Sequence, residues 1–314
     1  MGGAGMRAWV FPGQGAQVPG MGQALAAACP AAAAVFAAVD AALGESLSAT
    51  IWGEDAEALT LTRNAQPALM ATSLAVVAAL RAGGIDIGQA AFVAGHSLGE
   101  YSALCAAGAL TLDDTARLLR IRGEAMQAAV PVGQGAMAAL LGLDFAAAVA
   151  VAAEAAEGEI CQAANDNDPA QVVVSGHRGA VERALAIAKA HGARRAILLP
   201  VSAPFHSALM EPAAAVMARA LAEVEIAEPV VPVVANVAAE GVTDPEVIRC
   251  LLVDQVTGVV RWRESVLWMA AQGVTEIWEV GAGKALSGMV RRIAPQIVCR
   301  AVGTPEDVRA AVQG

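Results

Sequence analysis

The feature that most constrains this chain is a repeated alternation of short β-type runs with long Ala- and Leu-rich helical patterns. Runs typical of strands occupy residues 8–11, 91–95, 230–234 and 276–280, and each precedes a turn with Gly or Pro and then a helical stretch. Neighbouring parallel strands require a long crossover, usually a helix, whereas antiparallel strands can be joined by a tight turn. The alternation therefore predicts an α/β fold with a mainly parallel sheet.

The middle of the chain follows a different order, β-α-β-β-α-β, which is that of the ferredoxin-like split unit. An Asn- and Asp-rich segment at 165–169 separates the second and third of these strands and is typical of a turn. We therefore expect a ferredoxin-like small domain at residues 131–200, inserted into a larger α/β domain made of residues 1–130 and 201–314. Its predicted strands and helices, in chain order, are 136–143, 145–156, 160–164, 171–175, 179–191 and 195–201.

Composition excludes several classes of protein. Of 314 residues, 57% are hydrophobic and 16% are charged, which permits a large core and excludes a disordered chain. The formal net charge of -10 argues against nucleic acids and anionic membranes as partners. Uncharged stretches such as residues 24–39, with Pro30 inside, are too Ala-rich and too interrupted to span a membrane.

The cysteines and the N-terminus bear on the compartment. The 5 cysteines are scattered, with no CxxC pair and no spacing typical of metal ligands. This pattern indicates that the cysteines are small buried side chains in a reducing compartment, and it predicts no metal site. No basic segment followed by an apolar run, the pattern of an export signal, precedes the first strand. We therefore expect a cytoplasmic protein.

Residues 91–100 predict a nucleophile. They read as a strand, then Gly95-x-Ser97-x-Gly99, then the start of a helix. The two glycines permit a strained turn that lifts the Ser97 hydroxyl clear of the backbone, and the helix points its N-terminal amides toward the place where an oxyanion would form. The alternative is an ordinary Gly/Ser turn, but the strand before it and the helix after it favour a nucleophilic Ser97.

A serine nucleophile needs a base, and the chain has only 4 histidines. His96 adjoins Ser97 and should leave the turn in another direction, while His177 is expected in a turn and His191 at a helix C-terminus. His206 follows a predicted strand in a loop that should leave the edge of the large sheet, where catalytic residues of α/β proteins gather, so it is the predicted base. No Asp stands alone at a strand end before it, so we expect a Ser–His pair whose imidazole is held by a backbone carbonyl.

An arginine lies on the apolar face of the helix that starts after Thr111. Leu118, Met126 and Ala129 define that face, and Arg122 falls in the same row. A lone guanidinium there is unfavourable unless something anionic meets it or its stem reaches solvent. The partner is therefore either an internal Asp or Glu, or a substrate carboxylate gripped in a bidentate manner.

The loop after the first strand, residues 11–17, contains Gly13, Gln14 and Gly15. Its glycines free the backbone to pass close to a ligand, and Gln14 offers amide donors. The loop lacks the Lys-Ser/Thr of a P-loop, and Val18 stands where a dinucleotide-binding loop has its third glycine. We therefore expect no phosphate-binding role and no cofactor.

Together these segments resemble the bacterial malonyl-CoA:acyl-carrier-protein transacylase family of type II fatty acid synthesis. The similarity covers nearly the whole chain from near Met6, and the combination is far more specific than any one motif. It implies an α/β-hydrolase-like large domain with an inserted ferredoxin-like small domain. The matching segments are FPGQGAQ at 11–17, QPA at 66–68, GHSLGEYSA at 95–103, RG at 122–123, GAMAA at 135–139, PVS at 200–202 with His206, and EVG at 279–281.

The resemblance assigns roles to the site residues. Ser97 would be the acylated nucleophile, His206 its base and Arg122 the partner of the malonyl carboxylate. Gln14 would shape the oxyanion hole beside the backbone amide of Leu98.

One further residue enters through the resemblance and another through its position. The main-chain carbonyl of Gln255 would orient the histidine, although the sequence after it, Val-Thr-Gly at 256–258, departs from the family pattern. Phe205 adjoins the predicted base, so we expect it to crowd the acyl pocket and disfavour a branched methylmalonyl group; malonyl-specific members of the family differ at this position.

The implied activity is a ping-pong transfer of malonyl from malonyl-CoA to the phosphopantetheine thiol of holo acyl carrier protein, through a malonyl-serine ester. We expect a monomer that needs no metal. One alternative is a serine thioesterase or esterase on the same scaffold, marked by an Asp or Glu touching His206. Another is a non-catalytic module that docks carrier proteins.

Overall fold

The structure is a computed structural model that describes residues 5–314. Within those residues the strands are β1 Met6–Phe11, β2 Phe92–Gly95, β3 Gly135–Leu141, β4 Cys161–Asp168, β5 Gln171–His177, β6 Arg195–Leu198, β7 Val233–Val234, β8 Gly241–Val242, β9 Val274–Val280 and β10 Val298–Val302. The helices are α1 Gln23–Ala28, α2 Pro30–Leu43, α3 Leu47–Trp52, α4 Ala56–Thr60, α5 Thr62–Ala82, α6 Gly99–Ala106, α7 Leu112–Ala128, α8 Phe145–Ala156, α9 Arg178–Ala190, α10 Glu211–Ala222, α11 Pro245–Thr257, α12 Trp262–Ala271, α13 Ala285–Ile293 and α14 Pro305–Gln313.

The larger sheet has the strand order β10-β9-β1-β2-β7-β8. Every neighbouring pair is parallel except β7 with β8 at one edge, so the predicted mainly parallel α/β fold is confirmed. Strands β1, β2, β7 and β9 correspond to the four runs predicted from sequence, although only the last two residues of 230–234 form β7. Because parallel strands end at the same edge, the loops after β1 and β2 meet there.

The smaller sheet has the order β4-β5-β3-β6, with every neighbouring pair antiparallel. With α8 and α9 it forms the β-α-β-β-α-β unit that the sequence predicts, and its elements lie inside residues 131–200. One face packs against these helices, whose buried small side chains include Ala148, Val151 and Ala184. The opposite face contributes Met137 and Val173 to the core of the larger sheet. The division into two domains at 131 and 200 stays a prediction.

The prediction of a turn over the Asn- and Asp-rich residues 165–169 is wrong. Strand β4 continues through it to Asp168, with Asn165 paired to Val173 and Asp168 to Gln171 across β5. The turn itself is reduced to residues 169–170. The polar side chains of residues 165–168 are buried rather than in a surface loop. Contacts across the fold have therefore overridden a composition that is typical of a turn.

Helix α5 is the central helix of the larger core. It is long and apolar enough to cross a membrane, with a mean hydropathy of 1.3, but 78% of its apolar window is buried inside the protein. Such burial is that of a core helix.

Candidate active site

The turn between β2 and α6 carries Ser97 in a strained backbone conformation. Its φ is 53°, in the left-handed region that L-residues other than Asn and Asp seldom adopt. A Cβ atom at Gly95 would lie 1.9 Å from the carbonyl carbon of Gly99, and one at Gly99 would lie 2.3 Å from the Phe11 carbonyl oxygen. Both glycines are therefore required by close backbone approach, and together they permit the sharp turn that presents the Ser97 hydroxyl.

Ser97 and His206 form a hydrogen-bonded pair. Ser97 Oγ lies 2.7 Å from His206 Nε2, and His206 Nδ1 donates to the main-chain oxygen of Gln255 at 2.9 Å. That carbonyl is available because it belongs to the last turn of α11, where carbonyls have no partner within the helix. The bond fixes the tautomer, which leaves Nε2 free to accept the serine proton.

His206 is held neutral. Its side chain is buried, and burial lowers the pKa of His206 to about 3, with the positive charge of Arg122 acting in the same direction. A neutral imidazole at physiological pH is the form that a general base requires. His206 also has a positive φ of 56°, so both members of the pair lie on strained backbone.

Arg122 extends from α7 into the site. The N-cap of this helix is Thr111, whose hydroxyl accepts from the Asp114 amide at 3.1 Å. Arg122 is only 1% exposed, donates to Gln66 Oε1 at 2.8 Å, and places Nη2 3.2 Å from the Oγ of Ser97.

No ion pair to Arg122 occurs within residues 5–314, and its Nε has no hydrogen-bond partner there. Burial lowers the pKa of Arg122, and nearby Tyr101 and Glu100 oppose that shift. Of the two partners predicted from sequence, an internal Asp or Glu in direct contact is thus not found in this part of the chain. A buried guanidinium with donors to spare faces the nucleophile.

A cavity of about 460 Å³ opens above the pair. Its lining from the larger region includes Gln14, Ser97, Leu98, Arg122, Phe205 and His206. The smaller sheet and the segment that follows β6 add Met137, Asn165 and Leu199 to the wall. Gln14 Oε1 accepts from the Thr62 hydroxyl at 3.0 Å, which ties the loop after β1 to α5.

The remaining histidines have other partners. His96 leaves the turn in a different direction from Ser97, as predicted: its Nε2 donates to Asn167 Oδ1 of the smaller sheet at 2.8 Å, and burial lowers the pKa of His96. His177 was expected in a turn, but it ends β5 and its Nδ1 accepts from the Ile160 amide at 2.9 Å. His191 follows the last residue of α9 and lies 2.9 Å from Glu154.

Three polar residues of the site were not singled out from sequence. Gln66 bonds to Arg122, Asn236 Oδ1 accepts from the Ser97 amide at 2.8 Å, and Glu100 accepts from the Gln255 side chain at 2.8 Å. The position of Asn236, two residues after β7 at the carboxyl edge of the sheet, was the available signal for it.

A serine bonded to a neutral histidine, next to the first turn of a helix, is the arrangement of enzymes that form acyl-serine esters. Residues 8–303 match the family model described as "Acyl transferase domain". The chain belongs to this family, and within it to the malonyl CoA-acyl carrier protein transacylases. The family resemblance found in the sequence is thereby confirmed.

Three comparisons illustrate the relationship. Malonyl CoA-acyl carrier protein transacylase of Escherichia coli (strain K12) is 47% identical, over 98% of this chain and 98% of the relative. The crystal structure of acyl-carrier-protein-S-malonyltransferase from Bartonella henselae has a TM-score of 0.96 and 54% identity, covering 98% of both chains. A malonyl-transacylase solved in complex with its type II PKS acyl-carrier protein has a TM-score of 0.95 and 41% identity, covering 98% of this chain and 99% of the other.

Proposed function

We propose that this protein transfers a malonyl group from malonyl-CoA to the phosphopantetheine thiol of holo acyl carrier protein, through an ester on Ser97. One observation carries the choice of acyl group. The guanidinium of Arg122 is buried, lacks a carboxylate partner within residues 5–314, and lies 3.2 Å from Ser97 Oγ. A bound malonyl group would bring the missing carboxylate, whereas an acetyl group would not.

The first half-reaction forms the ester. Ser97 attacks the thioester carbonyl of malonyl-CoA while its proton passes to Nε2 of His206, and the Gln255 carbonyl stabilises the resulting imidazolium. The backbone amide of Leu98, with Gln14 shaping the opposite side, would stabilise the oxyanion. A donor of this kind contributes about 3 kcal/mol in comparable serine enzymes. The tetrahedral intermediate collapses, the C–S bond breaks, and the imidazolium returns its proton to the departing CoA sulfur.

The second half-reaction uses the same groups in reverse. The thiol of the carrier protein's phosphopantetheine arm gives its proton to His206 and attacks the malonyl-serine carbonyl. The C–O bond to Ser97 then breaks, and the serine oxygen takes the proton from His206. The products are malonyl carrier protein and free Ser97, so neither metal nor cofactor enters a step.

Two other functions are disfavoured by specific observations. A thioesterase triad would place an Asp or Glu against His206, but its Nδ1 bonds to a main-chain carbonyl. A docking module would have no need for a serine held 2.7 Å from a neutral histidine. We also propose a cytoplasmic location, which the free state of the 5 cysteines supports. The sequence predicted buried cysteines, but only Cys161 is buried and Cys250 is exposed.

The test is incubation with malonyl-CoA, intact-mass analysis, and then addition of holo acyl carrier protein. We expect a malonyl adduct on Ser97 that disappears as malonyl carrier protein forms. Release of free malonate without the carrier would indicate a hydrolase. Absence of both adduct and malonate would indicate a docking module.

A further inference from the structure

Behind the nucleophile lies a buried carboxylate with no part in the proposed reaction. Glu100, in the first turn of α6, is only 2% exposed. A single oxygen of its carboxylate, Oε2, accepts from the main-chain amide of Asn236 at 3.0 Å and from the side-chain Nε2 of Gln255 at 2.8 Å. Burying a carboxylate is unfavourable unless it is hydrogen-bonded, so these two bonds are what retain it there. Burial raises the pKa of Glu100 to about 7, while both hydrogen bonds oppose the shift.

The first partner of Glu100 clasps the strained turn. The side chain of Asn236 accepts from the Ser97 amide through Oδ1 at 2.8 Å and donates from Nδ2 to the Gly95 carbonyl at 2.6 Å. Both sides of the turn are thus held by one amide group. A positive φ at a serine persists only where the surroundings enforce it, and Asn236 is part of that enforcement.

The second partner, Gln255, connects Ser97 to Arg122. Its Nε2 also donates to the Ser97 carbonyl at 3.0 Å, while its Oε1 accepts from Arg122 Nη2 at 2.8 Å. Rotating this amide by half a turn would set an oxygen against two acceptors and an NH₂ group against a guanidinium. The Glu100 oxygen therefore selects the amide orientation that lets Gln255 bind Arg122.

We propose that Glu100 is a positioning residue. Its Oε2 holds Asn236 and the Gln255 amide, and through them it fixes the Ser97 turn and the direction of Arg122. The role depends on an acceptor oxygen at this place, and a glutamine side chain can supply one. The malonyl readout below rests on the proposed function, whereas the labelling readout does not.

The test compares Glu100→Ala, which removes the acceptor, with Glu100→Gln, which retains it. Phenylmethanesulfonyl fluoride labels an activated serine and carries no carboxylate, so its rate reports the turn and not Arg122. We expect Glu100→Ala to be labelled about tenfold or more slowly, and Glu100→Gln to stay within about threefold of wild type. The malonyl-to-acetyl ratio of Ser97 acylation should also fall in Glu100→Ala, since Arg122 loses its orientation.

Rates are taken per folded molecule, with thermal melts for every variant and Glu182→Ala on the exposed face of α9 as the control. If Glu100→Ala does not fold, Glu100→Leu, which fills more of the same space without an acceptor oxygen, takes its place and should also be labelled slowly. Wild-type labelling in whichever variant without the acceptor folds, or a loss in that variant equal to the loss in Glu100→Gln, would overturn the proposal. If wild type is labelled but never acylated by malonyl-CoA, the proposed function fails and the labelling comparison still decides the role of Glu100.

Discussion

The two sheets contribute different things to one cavity. The larger, mainly parallel sheet brings Ser97 from the end of β2 and Gln14 from the end of β1. The smaller antiparallel sheet contributes Met137 and Asn165 to the cavity wall, and none of the groups that hold Ser97 Oγ. Parallel strands end together at one edge, which gathers reactive groups, whereas an antiparallel sheet with helices on one face offers its other face as a wall.

Besides the apolar contacts of Met137 and Val173, a polar seam between the regions runs along β4. Asn165 forms a β-bridge with Val260, Asp166 pairs with Arg263 at 2.8 Å, and Asp168 pairs with Arg292 at 2.7 Å. Asp166 and Asp168 side chains are each 1% exposed, so they are buried as well as paired. Strand β4 thus fastens the smaller sheet to the larger region, while the groups that hold Ser97 Oγ come from outside that sheet.

The largest expected effect is the loss of acylation when the nucleophile of the larger region is removed. Ser97→Ala should abolish adduct formation from malonyl-CoA, a loss of about 10⁴-fold or more, while both sheets stay folded. Intact-mass analysis and circular dichroism check the two halves of this statement. Labelling at the wild-type rate would show that Ser97 is not the nucleophile.

The pH dependence of the same step is the next largest effect. Because the pKa of His206 is lowered to about 3, the rate of Ser97 acylation should stay level from about pH 7.5 down to about pH 5. An ordinary histidine with a pKa near 6.5 would lose about 30-fold of its neutral form over that range. Single-turnover kinetics across the range distinguish these outcomes.

The lowered pKa also affects stability. The unfolded chain binds a proton at His206 near pH 6.5, but the folded chain does so only near pH 3. This residue therefore lowers the free energy of unfolding as pH falls from about 6.5 toward 3.

A change at the seam should separate stability from chemistry. Asp168→Ala removes the pair with Arg292 and the acceptor of the Ala170 amide, so we expect the free energy of unfolding to fall by about 1–2 kcal/mol. Acylation per folded molecule should change by less than about twofold. Urea titration measures the first quantity and burst kinetics the second.

The matched control for this change is Glu306→Ala. It breaks an exposed pair with Arg309, and it should alter stability by less than about 0.5 kcal/mol. A large loss of acylation in Asp168→Ala, with the protein folded, would mean that β4 takes part in holding the reacting atoms.

The smallest effect concerns the shape of the cavity. Phe205→Ser removes a large side chain from the wall and so enlarges the cavity beside His206. Methylmalonyl transfer should rise relative to malonyl transfer by about tenfold or less, because apolar pockets discriminate only modestly between such groups. Competition between the two CoA esters measures the ratio. An unchanged ratio would show that Phe205 does not determine the choice between the two acyl groups.

Much of the fold and part of the site could be predicted from residues alone. The strand-turn-helix pattern pointed to Ser97, elimination among the histidines to His206, and helix periodicity to Arg122 on a buried face. The signals for Ser97 and Arg122 are local, because they depend on nearby residues in the chain, whereas the signal for His206 depends on the small number of histidines. The expectation that His206 follows a strand of the larger sheet was wrong, because β6 belongs to the smaller sheet. The predicted pairing of Arg122 with an anion is still a proposal.

What could not be predicted depends on contacts between distant segments. The bond between Asn236 and Glu100 joins residues 136 positions apart, and no periodicity records it. The Gln255 contact with His206 uses a main-chain oxygen, so only the family resemblance indicated it. Residues 165–168 have the composition of a turn, yet pairing with β5 and contacts from the larger region hold them in β4.

The most direct test of the account is the acyl-group preference of Arg122→Ala. Initial rates of Ser97 acylation are measured by rapid quench and intact mass, with malonyl-CoA and acetyl-CoA in wild type and variant. Because only malonyl carries a carboxylate for the guanidinium, the variant should lose malonyl transfer by about 100-fold or more while its acetyl transfer falls far less. An equal loss for both acyl groups in a folded variant would contradict the account and leave Arg122 with a structural role.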